Sequence, residues 1–197
     1  MSAHGHSREG VLVEERVGLL ARSEAEVAAA EAAAAERALG AQHAFRQLFR
    51  RHPAGVAVVT LVDPILHLPV GFTATSVISV SADPPTLAFS ISRGSSSWPA
   101  LYAAESVVVN FLRAGAEDVS SRFATHGIDR FADVDFARLD TGEPVLDAAA
   151  SWARVSIVDR HEAGDSALVV GRIEHTQVGE HDPLVFFDQR YHQLRSA

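Results

Sequence analysis

The sequence of 197 residues contains no cysteine and no long run of apolar residues. The missing thiols exclude disulfides, thiolate catalysis, and zinc or iron–sulfur sites built on cysteine ligands. No segment approaches the roughly 20 consecutive apolar residues that a membrane-spanning helix needs. The first ten residues also lack the hydrophobic stretch of a signal peptide. These absences predict a cytoplasmic protein that does not enter a membrane.

Positive charge is scarce as well, because 17 Lys and Arg residues stand against 25 Asp and Glu residues and give a net charge of −8. A nucleic-acid surface needs an excess of basic side chains to neutralise phosphates, so we predict none. The sequence also has no glycine-rich dinucleotide fingerprint, no Walker A motif, no H-E-x-x-H and no G-x-S-x-G. Its ten histidines are scattered without carboxylates at ligand spacing, and we predict no metal site.

The N-terminal part of the chain reads as a helical arm over residues 1–40. Eight of the eleven residues from Ala25 to Ala35 are alanine, the best helix former. Gly40 is a typical helix end, and a separate helix is expected from Ala41 to about Arg51, before Pro53. We therefore divide the chain into an arm, residues 1–40, and a domain, residues 41–197.

The rest of the chain is dominated by strand patterns. β-Branched or alternating apolar segments are bounded by Gly and Pro, two helices interrupt them, and residues 127–147 read as a loop. The strands cluster instead of alternating with helices, which favours a mainly β fold with attached helices, an antiparallel sheet closed into a barrel. The predicted strands are 56–61, 71–81, 86–92, 107–112, 152–159, 167–178 and 183–187, and the helices 95–104 and 117–124.

Two polar segments interrupt these apolar patterns. The first, Gly71 to Ser76, places small and hydroxyl residues where a flat heteroaromatic ring could contact a strand. The alternative is an ordinary threonine-rich strand, because threonine has a high strand propensity. The second, Ser92 to Pro99, ends a strand with an arginine and opens a helix with three serines. That combination suits a phosphate group, or simply a capped helix beside a surface arginine. Because the segments belong to consecutive strands, we expect them to face one cleft and bind a phosphorylated heteroaromatic ligand.

The order of these segments resembles the flavin reductase-like family. The resemblance runs from about Ala44 to Leu194 and is carried by short motifs at 52–60 (HPAGVAVVT), 71–76 (GFTATS), 80–85 (VSADPP), 92–98, 109–112, 122–124, 142–146, 164–171 and 183–187. It implies a split β-barrel that binds FMN or FAD and usually forms a homodimer. Many members of the family oxidise NADH or NADPH and release reduced flavin to a partner oxygenase in a two-component monooxygenase.

The resemblance also implies roles for individual residues. The residues that would line the flavin ring are Thr73, Ala74, Thr75 and Ser76, and those that would hold its phosphate are Ser92, Arg93, Ser95 and Ser97. Phe123 would lie near the ring or the nicotinamide. The residues on the nicotinamide side would be Asp165, Ser166 and Tyr191.

One position departs from the family pattern, because Gly164-Asp165-Ser166 stands where the family commonly has Gly-Asp-His. Serine keeps a short donor and acceptor but has no ring and a shorter reach than histidine. His126 or Tyr191 could take over part of the positioning. We predict an NAD(P)H-dependent flavin reductase that supplies a monooxygenase. The alternative is a flavin-binding split-barrel protein without reductase activity, such as a carrier, a sensor or a subunit of a complex.

Overall fold

The structure, a computed structural model, describes residues 6–194, with side chains from residue 26 onward. The chain divides into two compact units, and the division lies between Arg51 and His52. The first unit is helical where it is described, and the second is built mainly of strands.

The helical unit consists of one continuous helix, α1, from His6 to Arg50. The predicted helix end at Gly40 is therefore wrong, and the separate helix expected after Ala41 is the continuation of α1. A glycine inside a helix costs only about 1 kcal/mol relative to alanine, so strong helix formers on both sides carry the helix through it. The end before Pro53 is as predicted, because proline removes an amide donor and restricts the preceding residue. The assignment of residues 1–40 as a separate arm stays a prediction.

The second unit is made of antiparallel strands and two helices in its described part, residues 52–194. The helices are α2, Trp98–Ala103, and α3, Glu117–Ala124. The strands are β1 Ala54–Gly55, β2 Ala57–Val62, β3 Pro69–Ala74, β4 Ile78–Ala82, β5 Pro85–Ser92, β6 Ser106–Leu112, β7 Phe136–Arg138, β8 Pro144–Leu146, β9 Ala149–Ala163, β10 Ser166–Val178, β11 Leu184–Phe187 and β12 Arg190–Gln193.

Seven of these strands form one sheet in the order β3-β2-β6-β9-β10-β5-β4. A three-stranded sheet has the order β1-β11-β12, and β7 pairs with β8. Every pair of strands is antiparallel. The predicted mainly β fold with attached helices is confirmed.

Apolar residues are buried on both faces of the large sheet, which explains the continuous apolar run of β2. Val59 and Leu61 of β2 belong to one core cluster with Phe89, whereas Val58 belongs to a second cluster with Phe123. Successive side chains of a strand point to opposite faces, so a strand covered on both sides is apolar at nearly every position. The exception in β2 is buried Thr60, whose hydroxyl donates to the Pro144 carbonyl. The second cluster connects the sheet with α3, the helix that borders the site described below.

A buried ion pair links the loop before β8 with β9. The Glu143 carboxylate is 3% exposed, accepts hydrogen bonds from Ser106 and Thr141, and lies 3.0 Å from Nε of Arg154. Burial by itself raises the pKa of Glu143. The two hydroxyl donors and the charge of Arg154 lower it by more than burial raises it, so the pKa of Glu143 lies below its usual value. Glu143 is therefore charged at neutral pH inside the protein.

Three predicted elements differ from the structure. The single strand expected over 71–81 is two strands, because β3 pairs with β2 and β4 pairs with β5, at opposite ends of the sheet order. The expected loop 127–147 contains β7 and β8, and β12 was missed; each has only three or four residues and depends on its partner strand. The helix expected from Ser95 starts at Trp98, with Pro99 in its first turn.

Candidate functional site

A cavity of about 400 Å³ lies where β3, β5 and the end of α3 come together. Both polar segments singled out in the sequence contribute to its wall. The lining residues are Phe72, Thr73, Ser90, Ile91, Ser92, Gly94, Ser95, Phe123, Ala124, His126 and Arg130. Apolar side chains from the strands and hydroxyl, imidazole and guanidinium groups from the turns therefore surround one space.

The size and lining of this cavity suit a flavin. Its volume falls within the range of about 300–1,000 Å³ that is typical of small-molecule sites. Phe72 and Ile91 provide apolar surface for a flat ring, and the hydroxyls of Ser92 and Ser95 with the guanidinium of Arg130 provide donors for a phosphate.

The four residues expected along the flavin ring take different positions. Thr73 lines the cavity, and its hydroxyl donates to the Ser120 carbonyl at 2.6 Å, which ties β3 to α3. Ala74 is buried, whereas Thr75 is exposed at the point where the chain leaves β3. The Ser76 hydroxyl accepts the Ser90 amide at 3.0 Å. Their contacts with a flavin stay a prediction.

The residues expected at the phosphate separate into two groups. Ser92 and Ser95 line the cavity, and buried Ser97 donates to the Gly71 carbonyl at 3.3 Å and lines a neighbouring cavity of about 200 Å³. Arg93 is instead engaged with the turn between β9 and β10. Its Nη1 lies 2.8 Å from Oε2 of Glu162, and its Nη2 donates to the Gly164 carbonyl at 2.8 Å.

Phe123 lines the cavity and is fully buried. Its ring meets Phe131 edge to face, with the ring centroids 5.0 Å apart. The backbone of Gly71 passes so close to this ring that a Cβ at position 71 would lie 2.6 Å from Cε1 of Phe123. The glycine of the first polar segment therefore allows β3 to approach α3.

Two of the three residues expected on the nicotinamide side lie next to the end of β5 and the turn that follows it. Ser166 opposes Ser92 in the pairing of β10 with β5, and its hydroxyl donates to Oδ1 of Asp165 at 2.9 Å. The Asp165 carbonyl accepts the amide of Arg93 at 2.9 Å. Tyr191 lies apart from them on β12, where its hydroxyl donates to Oγ of Ser120 at 3.0 Å. His126 lines the cavity itself.

Arg130 is the charged site residue that the sequence reasoning missed, and the lining residues Ser90, Ile91 and Ala124 were not predicted either. Arg130 is half-buried in the segment between α3 and β7, and burial lowers the pKa of its guanidinium because it disfavours the charged form. Nothing in the local sequence distinguishes this arginine, since an arginine in an apparent loop carries no signal of the cavity it faces. Only the return of the chain after α3 brings it to the cavity.

Neither a metal centre nor a membrane-crossing helix is found in the described part of the chain. No group of three or more His, Asp or Glu residues between 26 and 194, where side chains are described, could hold a metal ion. Among the helices described between residues 6 and 194, none combines the length and apolarity needed to span a bilayer.

Comparison with known proteins agrees with this architecture. Residues 49–195 match the flavin reductase like domain. The chain is 44% identical over 155 residues to a NADH:FMN oxidoreductase of Rhodococcus qingshengii, covering 76% of this chain and 80% of that protein. It is 31% identical over 130 residues to the reductase subunit HsaB of a flavin-dependent monooxygenase from Mycobacterium tuberculosis, covering 66% of this chain and 68% of that protein.

A solved structure shows the same fold. The crystal structure of a flavin reductase domain protein from Arthrobacter sp. FB24 superposes with a TM-score of 0.74 at 35% identity and covers 79% of this chain and 97% of that chain. The fold class is thus the split β-barrel. The chain belongs to the flavin reductase like family.

Proposed function

We propose that the protein works in the cytoplasm as an NAD(P)H-dependent flavin reductase: it oxidises NADH or NADPH, reduces FMN or FAD, and supplies the reduced flavin to a partner monooxygenase. The observation that carries this proposal is the 400 Å³ cavity, where strand hydroxyls, an apolar wall and a guanidinium meet in a chain of this family. The relative from Rhodococcus qingshengii, named for oxidation of NADH with FMN, supports the same reaction.

The residues of the cavity would bind and orient the reactants. Phe72 and Ile91 would contact the flat ring, Thr73 and the following residues of the first polar segment would face its polar edge, and Ser92 and Ser95 would donate to the phosphate. A flavin held by these residues would supply the redox chemistry, as the acceptor of a hydride from the nicotinamide and of a proton from solvent. Such a reaction needs no catalytic acid or nucleophile from the protein.

The test is steady-state oxidation of NADH and of NADPH by the full-length protein with added FMN or FAD, followed by absorbance at 340 nm. We expect turnover with at least one of the four combinations. Flavin binding without turnover in any of them would favour the alternative, a flavin-binding protein that is not a reductase. Failure to bind either FMN or FAD in a fluorescence titration would refute both the reductase proposal and the alternative of a flavin-binding protein without reductase activity.

Release of reduced flavin to a partner is a separate part of the proposal. It is supported by the resemblance to the HsaB reductase subunit of a flavin-dependent monooxygenase. A protein that releases its product should reduce many equivalents of free flavin per subunit under anaerobic conditions. A single equivalent, retained by the protein through gel filtration, would contradict delivery to a separate oxygenase.

We also propose that the protein is a homodimer, and the exposed edge strand β4 supports this. All five residues from Ile78 to Ala82 are exposed, including Ile78 at 55% and Val80 at 54%. An apolar edge strand tends to be covered by another chain. We expect a dimer by light scattering at micromolar concentration and a shift toward monomer for Val80→Glu but not for Val178→Glu, a control at a residue that is 84% exposed. A monomeric full-length protein would contradict the proposal.

A further inference from the structure

The long helix α1 carries two rows of mainly apolar residues along one side. The first row recurs every seven residues, and each member of the second row follows one of the first after four residues. The first row is Val13, Leu20, Val27, Ala34, Ala41 and Leu48, and the second is Val17, Glu24, Glu31, Ala38 and Phe45. Apolar residues that alternate at spacings of four and three over several heptads are typical of the contact face of a coiled coil.

This face is exposed in the part of α1 whose side chains are described. Val27, Phe45 and Leu48 are all exposed, and between residues 26 and 50 only Ala33 is half-buried. Most of the stability of a helix in a protein comes from packing its apolar face against another element. A helix with exposed apolar rows of this length therefore fits a partner helix with the same repeat.

Charge is divided between the two parts of α1. From His6 to Glu36 the helix has seven glutamates and three arginines, whereas from Arg37 to Arg50 it has three arginines and no acidic residue. The helix macrodipole favours such a distribution only in the first and last turns, so it does not account for Glu24, Glu31 or Glu36. A second copy of α1 in the opposite direction would place the acidic part beside the basic part. A parallel copy would place like charges side by side, which is unfavourable.

We propose that α1 pairs with α1 of a second copy of this chain as an antiparallel coiled coil. The proposal is independent of flavin reduction, and the helix contact adds to the contact between copies proposed at β4. Two identical helices paired in this way are related by a twofold axis, so the interface is closed and suits a homodimer.

The two rows also indicate the register of the pair. In one antiparallel register, every Val, Leu and Phe of the rows from Val17 onward is opposite an apolar residue, and the two glutamates are opposite alanines. The facing positions are 48 and 17, 45 and 20, 27 and 38, 24 and 41, and 31 and 34. A parallel pair in register would instead bring Glu24 and Glu31 against their own copies.

The experiment uses the full-length chain, in which the lack of cysteine makes every introduced thiol unambiguous. A variant with both Val17→Cys and Leu48→Cys is oxidised, and its disulfides are located by mass spectrometry of proteolytic fragments. The two positions lie about 46 Å apart along one helix, so a disulfide between them must join two chains. We expect the 17–48 disulfide to exceed the 17–17 and 48–48 disulfides at least about fivefold, because a disulfide needs Cα atoms within about 7 Å of each other.

Two further pairs of cysteines control for position and for folding. Val27→Cys with Ala38→Cys lies nearer the middle of the coiled coil, should give the 27–38 disulfide, and replaces the first variant if that one is not folded by circular dichroism. Glu26→Cys with Leu39→Cys is the matched control, because these positions lie at the same height in the proposed pair but outside both rows. The control should form at least about fivefold less interchain disulfide than the 27–38 pair.

The role of charge is tested by replacing Arg37, Arg46 and Arg50 together with glutamate in the chain that carries cysteines at positions 17 and 48. These changes make the basic part of α1 acidic and should lower the yield of the 17–48 disulfide at least about threefold. An unchanged yield would refute the charge argument for the antiparallel direction.

The remaining outcomes also contradict the proposal. Dominant 17–17 and 48–48 disulfides would show a parallel pair. Equal yields from the row positions and from the control positions would show random collision between helices that have no fixed contact. Absence of interchain disulfides from both row variants would show that the apolar face of α1 has an occupant other than a second copy of this helix.

Discussion

Substitution of Gly71 by alanine tests how closely β3 must approach α3 beneath the cavity. The new Cβ would lie 2.6 Å from Cε1 of Phe123 and 3.2 Å from the Val59 carbonyl oxygen. Carbon atoms in contact sit about 3.5–4.0 Å apart, so the ring would have to move by about 1 Å. It has little room to do so, because Phe123 is fully buried and packed against Phe131.

Overpacking of this kind costs about 1–3 kcal/mol. The lower conformational freedom of alanine in the unfolded chain offsets up to about 1 kcal/mol. We therefore expect Gly71→Ala to lower the free energy of unfolding by about 1–2 kcal/mol, which for a protein of this size lowers Tm by about 2–8 °C.

Thermal unfolding followed by circular dichroism measures this effect. Gly55→Ala is the matched control, since nothing lies within 4 Å of a Cβ at that position, and its Tm should stay within about 2 °C of the wild type. In a Phe123→Leu background, which lacks Cε1, the cost of Gly71→Ala should fall by at least half. A Gly71→Ala protein that melts with the wild type, or the same cost in both backgrounds, would refute the steric argument.

Two further predictions concern Glu143 and Ser166. Glu143→Gln leaves Arg154 without its buried partner and should cost about 3 kcal/mol at neutral pH. The pKa of Glu143 is lowered in the folded state, so the stability that its charged form contributes is lost as pH falls through that pKa. The Tm difference between the variant and the wild type should therefore shrink from pH 7 to pH 3. A constant Tm difference would contradict this. Ser166→His should lower the KM for NAD(P)H with little change in kcat, and an unchanged KM would argue against a nicotinamide role for this position.

Most of the elements could be predicted because they depend on local pattern. The apolar run of β2, the alternation of β5 and the short amphipathic α3 all lie within about a residue of their predicted places. The failures occurred where local pattern was weak. Gly40 does not end α1, since one glycine is a small cost in a long helix, and β7 and β8 form only because each supplies the other with hydrogen bonds.

The sequence by itself determined the class of fold and the two polar segments of the site, because strand periodicity and motif order are properties of neighbouring residues. Tertiary structure alone decided which cation meets those segments. Arg93 lies within the second segment, but a glutamate 69 residues away draws its guanidinium to the β9–β10 turn. Arg130 lies outside both segments and is brought to the cavity by acceptors as distant as Gly71, 59 residues away. The direction of a long charged side chain is set by the partners that the fold supplies, and those partners are not its neighbours in the chain.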